Sequence, residues 1–431
     1  MKNYSCIFLK EWKLEYKFPN MIMKYNAIVG QSGGPTAAIN ATLAGVIYGA
    51  KLSNEIETLY GAFNGIEGML NENFCNLSEL FTENRDIEIL TQTPAAALGS
   101  CRVKLPDPDS EKGKETFTHL FEVFEKYNIR SFFYIGGNDS MDTVAKVSAY
   151  AEKRGYPLRV MGVPKTIDND LVGTDHTPGF GSAAKYIAVT MQEILRDTAV
   201  YTVPAVTIVE IMGRDAGWLT AASALGRAVT GISPDLVYLP ERAFSYDEFF
   251  ADLREALARH PNVVVAVSEG IELADGTLVG ASAQSGAVDA FGHKYLAGTA
   301  KALEQAVKAE IGCKVRSVEL NLPQRCAGHL CAAQDIEESL SIGESAVRFA
   351  LEGVSREMVV LRRLSTTPYT YEIGHEDIFK IANQTKIVPA EFINARGNDV
   401  TDECLTYLLP LIAGEIWPQY ENGLPCHWIL K

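Results

Sequence analysis

The sequence has no apolar run of the roughly 20 residues needed to cross a bilayer, no internal repeat and no low-complexity segment. It is short of positive charge: 39 Lys and Arg stand against 54 Asp and Glu, a net charge of −15 at pH 7. That balance speaks against a nucleic-acid or anionic-membrane surface, so any phosphate has to be caught by a few local cations. Histidines are scarce, and His176, His260 and His375 stand alone without metal-ligand spacing, which reads them as surface or structural. The eight cysteines are scattered, and the only close pair, Cys326 and Cys331, has no second pair or histidines at zinc spacing, so reduced, buried thiols are expected. Ser32, Ser100, Ser140 and Ser268 lack the surroundings of a nucleophile elbow, which argues against a serine hydrolase. Residues 1–23 lack the continuous apolar core and small-residue cleavage site of a secretory signal, so they read as an N-terminal extension outside the fold. The expectation is a soluble, cytoplasmic chain with room for two to three domains of about 150 residues each.

What the chain does have is an alternation of short apolar strands and longer amphipathic helices that persists to about residue 355. This is the pattern of βαβ units, and it predicts an α/β fold with parallel sheets. Strands are expected over 26–29, 132–135, 160–163, 205–211, 236–239, 263–267 and 314–320, and helices over 37–50, 111–127, 182–196, 218–225 and 293–310. Residues 59–70 read as a strand and a glycine-rich turn, and the tail from Met358 as a strand and two short helical runs without identifiable chemistry.

The centre of the chain is Tyr134 to Asp170, with two strand-to-loop turns of the kind that hold ligands at the carboxyl ends of an open sheet. In the first, Gly136-Gly137 permits a tight turn beside Asn138, Asp139 and Ser140, whose backbone N–H groups suit phosphate oxygens. In the second, Pro164 ends a strand and Lys165-Thr166-Ile167-Asp168-Asn169-Asp170 follows. A lysine for phosphate, a hydroxyl to orient it and two carboxylates for a base or a metal lie within that loop, which is equipment for phosphoryl transfer. Elsewhere the alternatives stay open. Gly33-Gly34 is a phosphate cradle or a plain βα turn, Arg102 a phosphate clamp or a solvated charge, and Glu269 a cap or an acceptor for a sugar hydroxyl. Arg214, just after the strand-end Gly213, is well placed for a ligand phosphate.

Gly33-Gly34, Gly136 to Ser140, Lys165 to Asp170, Met212-Gly213-Arg214, Ser268-Glu269 and Gln324-Arg325, taken in this order and spacing, resemble the phosphofructokinase family over roughly residues 24–355. The resemblance implies two αβα domains with mainly parallel sheets facing across a cleft. Residues 24–178 plus about 324–374 would hold the phosphoryl donor, and 179–323 plus about 375–431 would hold fructose 6-phosphate. On that pattern Asp168 matches the general base, Thr166 and Asp170 the residues around the sugar and the magnesium ion, and Met212, Gly213 and Arg214 the lining of the sugar phosphate. Glu269 matches a hydroxyl acceptor, Arg325 a 6-phosphate clamp, and Arg316 a cation lent to the neighbouring subunit of a homodimer.

The sequence departs from the ATP-using pattern of that family, which has glycine where Asp139 and Lys165 stand, and the pair is similar to that of members using pyrophosphate. A carboxylate at Asp139 would repel an α-phosphate, Thr143 adds bulk on the same side, and Lys165 can neutralise compact pyrophosphate. Gly33, Gly34, Arg102, Asn138, Asp139, Ser140 and Lys165 are therefore expected around pyrophosphate, with Asn138 and Asp170 near magnesium. Asn138 replaces an aspartate of many members, and Ala205 and Leu322 replace an arginine and a histidine. The rival readings are an ATP-dependent 6-phosphofructokinase and a non-catalytic regulatory subunit of the same fold.

Overall fold

A computed structural model describes residues 24–281 and 298–430. The extension 1–23 and the start expected for a helix at His293 lie outside the described residues. The strands of the two main sheets are β1 (Tyr25–Gln31), β2 (Ile56–Ala62), β3 (Phe74–Asn76), β4 (Ile129–Gly136), β5 (Arg159–Pro164), β6 (Ala205–Ile211), β7 (Leu236–Tyr238), β8 (Asn262–Ser268), β9 (Lys314–Glu319), β10 (Glu357–Thr366) and β11 (Tyr369–Asp377). Seven of them form one sheet in the order β11-β10-β5-β4-β1-β2-β3, and four form a second in the order β7-β8-β6-β9. The second sheet is parallel throughout, whereas the first has antiparallel partners only at its two edges, β3 and β11. This is the expected α/β class.

Strand periodicity explains why each sheet is covered twice. In the first sheet Ala27, Val29, Phe133, Ile135, Met161 and Val163 enter one core, while Ile28, Phe132, Tyr134 and Val160 enter the other. In the second, Val209, Ile211, Val264 and Ala266 face one core and Val206, Ile208, Val263 and Val265 the opposite one. Strands buried on both faces become nearly continuous apolar runs, and helices cross over to supply both layers.

One helix pair is held by small residues. Helix Ile39–Leu52 crosses helix Ala333–Leu351 so closely that a Cβ on Gly45 would lie 2.1 Å from the Leu340 carbonyl oxygen, and one on Gly343 would lie 2.1 Å from that of Thr42. Neither obstacle is a side chain that can swing away. Gly45→Ala is expected to lower unfolding free energy by about 1–3 kcal/mol, the scale of core overpacking, as a lower denaturant midpoint at unchanged slope.

Three local expectations are corrected. Residues 65–70 form a short helix instead of a turn, entered through Asn64 in the left-handed region at φ 56°. The helix begun at Trp218 stops at Ala222, and a second turn spans Gly226–Thr230. The strand from Met358 is half of a hairpin, β10–β11, that adds the last two strands to the first sheet. Beyond it the tail serves both bodies. Ile378 and Ile381 join a core of the first sheet, Val388 to Leu411 one of the second, and Trp428 stacks on Phe81 at 4.4 Å.

Not every cysteine is buried: Cys326 is exposed, and Cys75, Cys313 and Cys426 are intermediate. His176 is structural, buried between the carboxylates of Asp175 (2.8 Å) and Glu338 (2.6 Å). Burial opposes its charge, but Glu338 and Asp175 outweigh it and lift the imidazole to about 9. Among the described residues no helix is long and apolar enough to cross a membrane.

Candidate active site

The candidate residues gather after the carboxyl ends of β1, β4 and β5 in one sheet and β6 and β8 in the other. Two backbone bonds stitch the first group together. The Gly33 N–H donates to the Cys101 carbonyl at 3.1 Å, and the Lys165 N–H to the Gly136 carbonyl at 2.9 Å. The Ser100 hydroxyl also donates to the Gly33 carbonyl, so the glycine loop and the loop carrying Arg102 move as one piece. Gly33 is in the left-handed region, and a Cβ there would lie 3.3 Å from the Lys165 ammonium.

Lys165 is buried and donates to the Gly34 carbonyl at 2.5 Å. Burial pulls its pKa down to about 8, Asp168 and Asp170 pull it back up, and Arg102 and Arg325 press it down again. Those three cations are thus close neighbours. Arg325 leans in beside Gly34, where an added Cβ would lie 3.5 Å from its Nη1. Desolvation first, and then Arg102, hold the Arg325 guanidinium below its ordinary value. Cations this close repel one another, and a bound anion would relieve that repulsion.

The second loop is shaped by Asn169, which sits in the left-handed region at φ 54° and lets its two acidic neighbours diverge from one turn. The Asp168 N–H donates to Thr166 Oγ1 at 3.1 Å, and the Thr177 hydroxyl donates to the Thr166 carbonyl at 2.8 Å. Desolvation and then Asp170 push the Asp168 carboxyl up to about 7 against the pull of Lys165 and Arg214. Asp170 is raised by burial as well, so the two carboxyls titrate as a pair. Asp170 Oδ1 is buried and has no hydrogen-bond partner.

The second sheet brings Met212, Gly213, Arg214 and Glu269 against this pair. The Gly213 N–H donates to Glu269 Oε1 at 3.3 Å, and the Ser268 hydroxyl donates to the Gly213 carbonyl. Burial, reinforced by Asp168, lifts Glu269 to about 8. The Met212 N–H donates to Gln324 Oε1 at 3.1 Å, while Gln324 Nε2 is left buried and unpartnered. Gly213, at φ 136°, is confined to glycine, because a Cβ would also meet the Ala216 carbonyl oxygen at 2.6 Å.

Four expected residues have other surroundings. Asp139 opens helix Asn138–Arg154 and lies 3.8 Å from the Lys104 ammonium; Ser140 is buried in the same turn, its hydroxyl against Gly136. The Asn138 amide is already engaged by the tail, donating to the Gln384 carbonyl at 2.6 Å and accepting from the Asn383 N–H at 2.8 Å. Arg316 stands exposed on β9, the edge strand of the second sheet, and joins no hydrogen bond or ion pair with the cluster among the described residues. The tail, in which the sequence showed no identifiable chemistry, nevertheless contacts the base loop: Lys386 donates to Asn169 Oδ1 at 3.0 Å. No periodic pattern signals such a segment, whose contacts arise only on folding. Glu241 was missed for the same reason, and it accepts from the Gly217 and Val388 N–H groups.

A family model for phosphofructokinase matches residues 26–349. The chain is 42% identical to the pyrophosphate–fructose 6-phosphate 1-phosphotransferase of Halomonas elongata over 405 residues, covering 93% of this chain and 95% of the relative. It is 43% identical to the protein of that name from Xanthomonas campestris, over 94% of this chain and 96% of the relative. Its fold superposes with a TM-score of 0.85 on the crystal structure of a pyrophosphate-dependent phosphofructokinase from Nitrosospira multiformis, at 38% identity and covering 94% and 96% of the two chains. With its cation cluster and paired carboxylates at the ends of two parallel sheets, the chain belongs to the phosphofructokinase family.

Proposed function

We propose that this enzyme transfers a phosphoryl group from pyrophosphate to the 1-hydroxyl of fructose 6-phosphate, releasing orthophosphate and giving fructose 1,6-bisphosphate. The observation that carries the reading is one spot where a carboxyl lifted to about 7, Asp168, meets the buried Lys165 and, beside it, Arg102 from the loops of one sheet and Arg214, Glu269 and Arg325 from those of the other. The relatives at 40–43% identity named for this reaction support the same substrates. The first body is assigned to the donor and the second to the sugar, with the tail shared between them.

In this mechanism Asp168 takes the proton from the sugar 1-hydroxyl as its oxygen attacks the terminal phosphorus. The bridging P–O bond breaks, and its electron pair stays with the departing orthophosphate, whose charge Lys165 and Arg102 offset. Met212, Gly213, Arg214 and Arg325 hold the sugar phosphate, Thr166 and Glu269 its hydroxyls. Gly33, Gly34 and Ser140 line the donor side, where Asp139 and Thr143 disfavour a nucleotide. Run backwards, the same groups return the proton, so the reaction is readily reversible and can serve glycolysis or gluconeogenesis.

The oxygen donors fit magnesium. Asp170 Oδ1 is a buried carboxylate oxygen without a partner, Asp168 lies beside it, and among the described residues no group of three or more His, Cys, Asp or Glu could hold a metal alone. Magnesium takes one or two carboxylates and completes its shell with phosphates and water. Bound there, it would supply charge neutralisation for the transferring group. Asp168 and Asp170 would hold it, with Asn138 acting as a tether to the tail. The reading also places the enzyme in the cytoplasm as a homodimer, with Arg316 reaching the neighbouring site.

The test is a coupled assay on the purified chain with fructose 6-phosphate and magnesium, comparing pyrophosphate with ATP. Turnover with pyrophosphate alone is the expected result. Turnover with ATP alone would overturn the donor assignment, and none with either would favour the regulatory subunit. In the forward direction kcat/KM should be bell-shaped in pH. It rises through about 7 as Asp168 loses its proton and falls above about 8 as Lys165 loses its own. More magnesium should move the acid limb down, because a cation favours the carboxylate. A profile flat from pH 6 to 9 would remove Asp168 as the base.

A further inference from the structure

The tail segment 383–388 ties together the start of helix Asn138–Arg154, the Asp168–Asp170 loop and the turn at Gly217-Trp218, although it lies beyond residues 26–349 matched by the family. Lys386 is its centre. Its ammonium donates to Asn169 Oδ1 (3.0 Å), the Thr174 carbonyl (3.1 Å) and the Asp175 carbonyl (2.7 Å), which saturates all three protons. Its own N–H donates to the Asp170 carbonyl at 2.7 Å. Both sides of the base loop are therefore pinned by one residue, through the side chain of Asn169 and the main chain of Asp170. The same residue faces the other body, where the Trp218 indole N–H donates to the Lys386 carbonyl at 3.2 Å. Two residues on, the Val388 N–H shares Glu241 Oε1 with the Gly217 N–H, at 2.9 and 2.8 Å. Upstream, Asn383 and Gln384 close the reciprocal pair with Asn138, and Asn383 Nδ2 donates to Asp142 Oδ1 at 3.2 Å.

We propose that the 383–388 segment is a strap and Lys386 its pin, a positioning residue that holds the Asp168–Asp170 loop in register with the sugar-phosphate wall of the second body. The physical case is one of geometry. Asn169 is in the left-handed region, and its Nδ2 is buried without a partner, so its side chain is anchored only through Oδ1. Without the ammonium the Asn169 side chain loses that anchor, and on the strap's side the turn keeps only the main-chain bond from the Lys386 N–H to the Asp170 carbonyl. A displacement of about 1 Å at a catalytic group is enough to lower a rate about 100-fold. Lys386 touches neither the proton in flight nor the phosphates in this scheme, so its loss should appear in turnover rather than in affinity.

The experiment compares the full-length wild type with Lys386→Met in steady-state kinetics and amide hydrogen exchange. The expected result is a fall in kcat of about 10- to 100-fold, with KM for fructose 6-phosphate and pyrophosphate changed less than about threefold. Faster exchange should be confined to residues 167–176 and 383–388, while β6 and β8 keep their protection. Unchanged kcat, a loss carried by KM, or faster exchange spread over both sheets would each overturn the proposal. Should Lys386→Met fail to fold, Trp218→Phe decides. It removes the indole N–H from the strap together with part of a buried ring packed on Phe392 and Tyr407, and should lower kcat about three- to tenfold with the same local exchange; an unaltered kcat and exchange, or faster exchange spread over both sheets, would overturn the pin. The kinetic arm rests on the proposed reaction. If the wild type shows no turnover, that reading has failed, and the exchange pattern alone decides this one.

Discussion

Asp168→Asn is expected to lower forward turnover by about 100- to 10,000-fold, the range that general-base catalysis contributes, while the protein becomes more stable. The two effects have one cause. Desolvation lifts the Asp168 carboxyl to about 7, near the pH at which an acceptor both exists as the base and holds a proton well enough to matter. An unfolded chain would ionise it near 4. From about pH 4 to 7 the unfolded state sheds the proton while the folded state keeps it, so this group lowers stability progressively across that window and by its full amount above it. Asparagine removes the penalty. Because one edge of the residue is open to the cleft, the gain at pH 8 without ligands is about 1–2 kcal/mol, and it should vanish near pH 4. Thermal unfolding at both pH values measures it. A variant that is inactive and also less stable at pH 8 would point to a structural role for Asp168 instead.

Lys165→Met should lower kcat/KM for pyrophosphate by about 100- to 1,000-fold, the loss expected when a charge-stabilising donor leaves a water-poor site. Binding of fructose 6-phosphate, followed by calorimetry, should weaken far less. The lysine is fixed by the Gly34 carbonyl, and its ammonium lies against Gly33. The alkaline limb near pH 8 should disappear with it. Combined with Asp139→Gly, which removes a negative charge at the start of helix Asn138–Arg154, the substitution tests donor choice directly. Pyrophosphate activity should collapse in the double variant. If it persisted at the wild-type level, the donor assignment built on these two residues would be wrong.

Much of this was legible because the relevant signals are local. Val263 to Val267 is apolar without interruption and Val206 to Ile211 is broken only by Thr207 and Glu210, as suits strands buried on both faces, and both formed where expected. The turns after β4 and β5 are marked by Gly136-Gly137 and Pro164, and the residues packed behind those signals include the ones that converge. Long-range features were not legible. Gly65 and Gly68 looked like turn residues, yet they lie in a short helix, where Gly68 is required by the close approach of the Phe63 carbonyl and does not mark a turn. The hairpin β10–β11 was half hidden, since its second strand alternates polar and aromatic residues on a sheet edge. Lys386 and Asn383 have no motif at all. Their meaning comes from Asn169 and Asn138, more than 200 positions earlier, and hydrogen bonds at that separation leave no trace in periodicity or composition.

The strand order of the larger sheet carries a consequence for how the protein is made. On the ribosome β5 emerges almost 200 residues before β10, its neighbour on that side. Until then its outer edge presents unpaired N–H and C=O groups, the template on which nascent chains stick to one another. The smaller sheet, from β6 to β9, is synthesised entirely within that interval and can close first. A chain stalled before the hairpin would therefore hold a paired smaller sheet, still missing Val388 to Leu411 from one of its cores, beside an open-edged larger sheet. Quality control in the cell would meet this protein chiefly as an exposed β5, and a chaperone that covers strand edges should shorten its path to the native state more than one that covers helices.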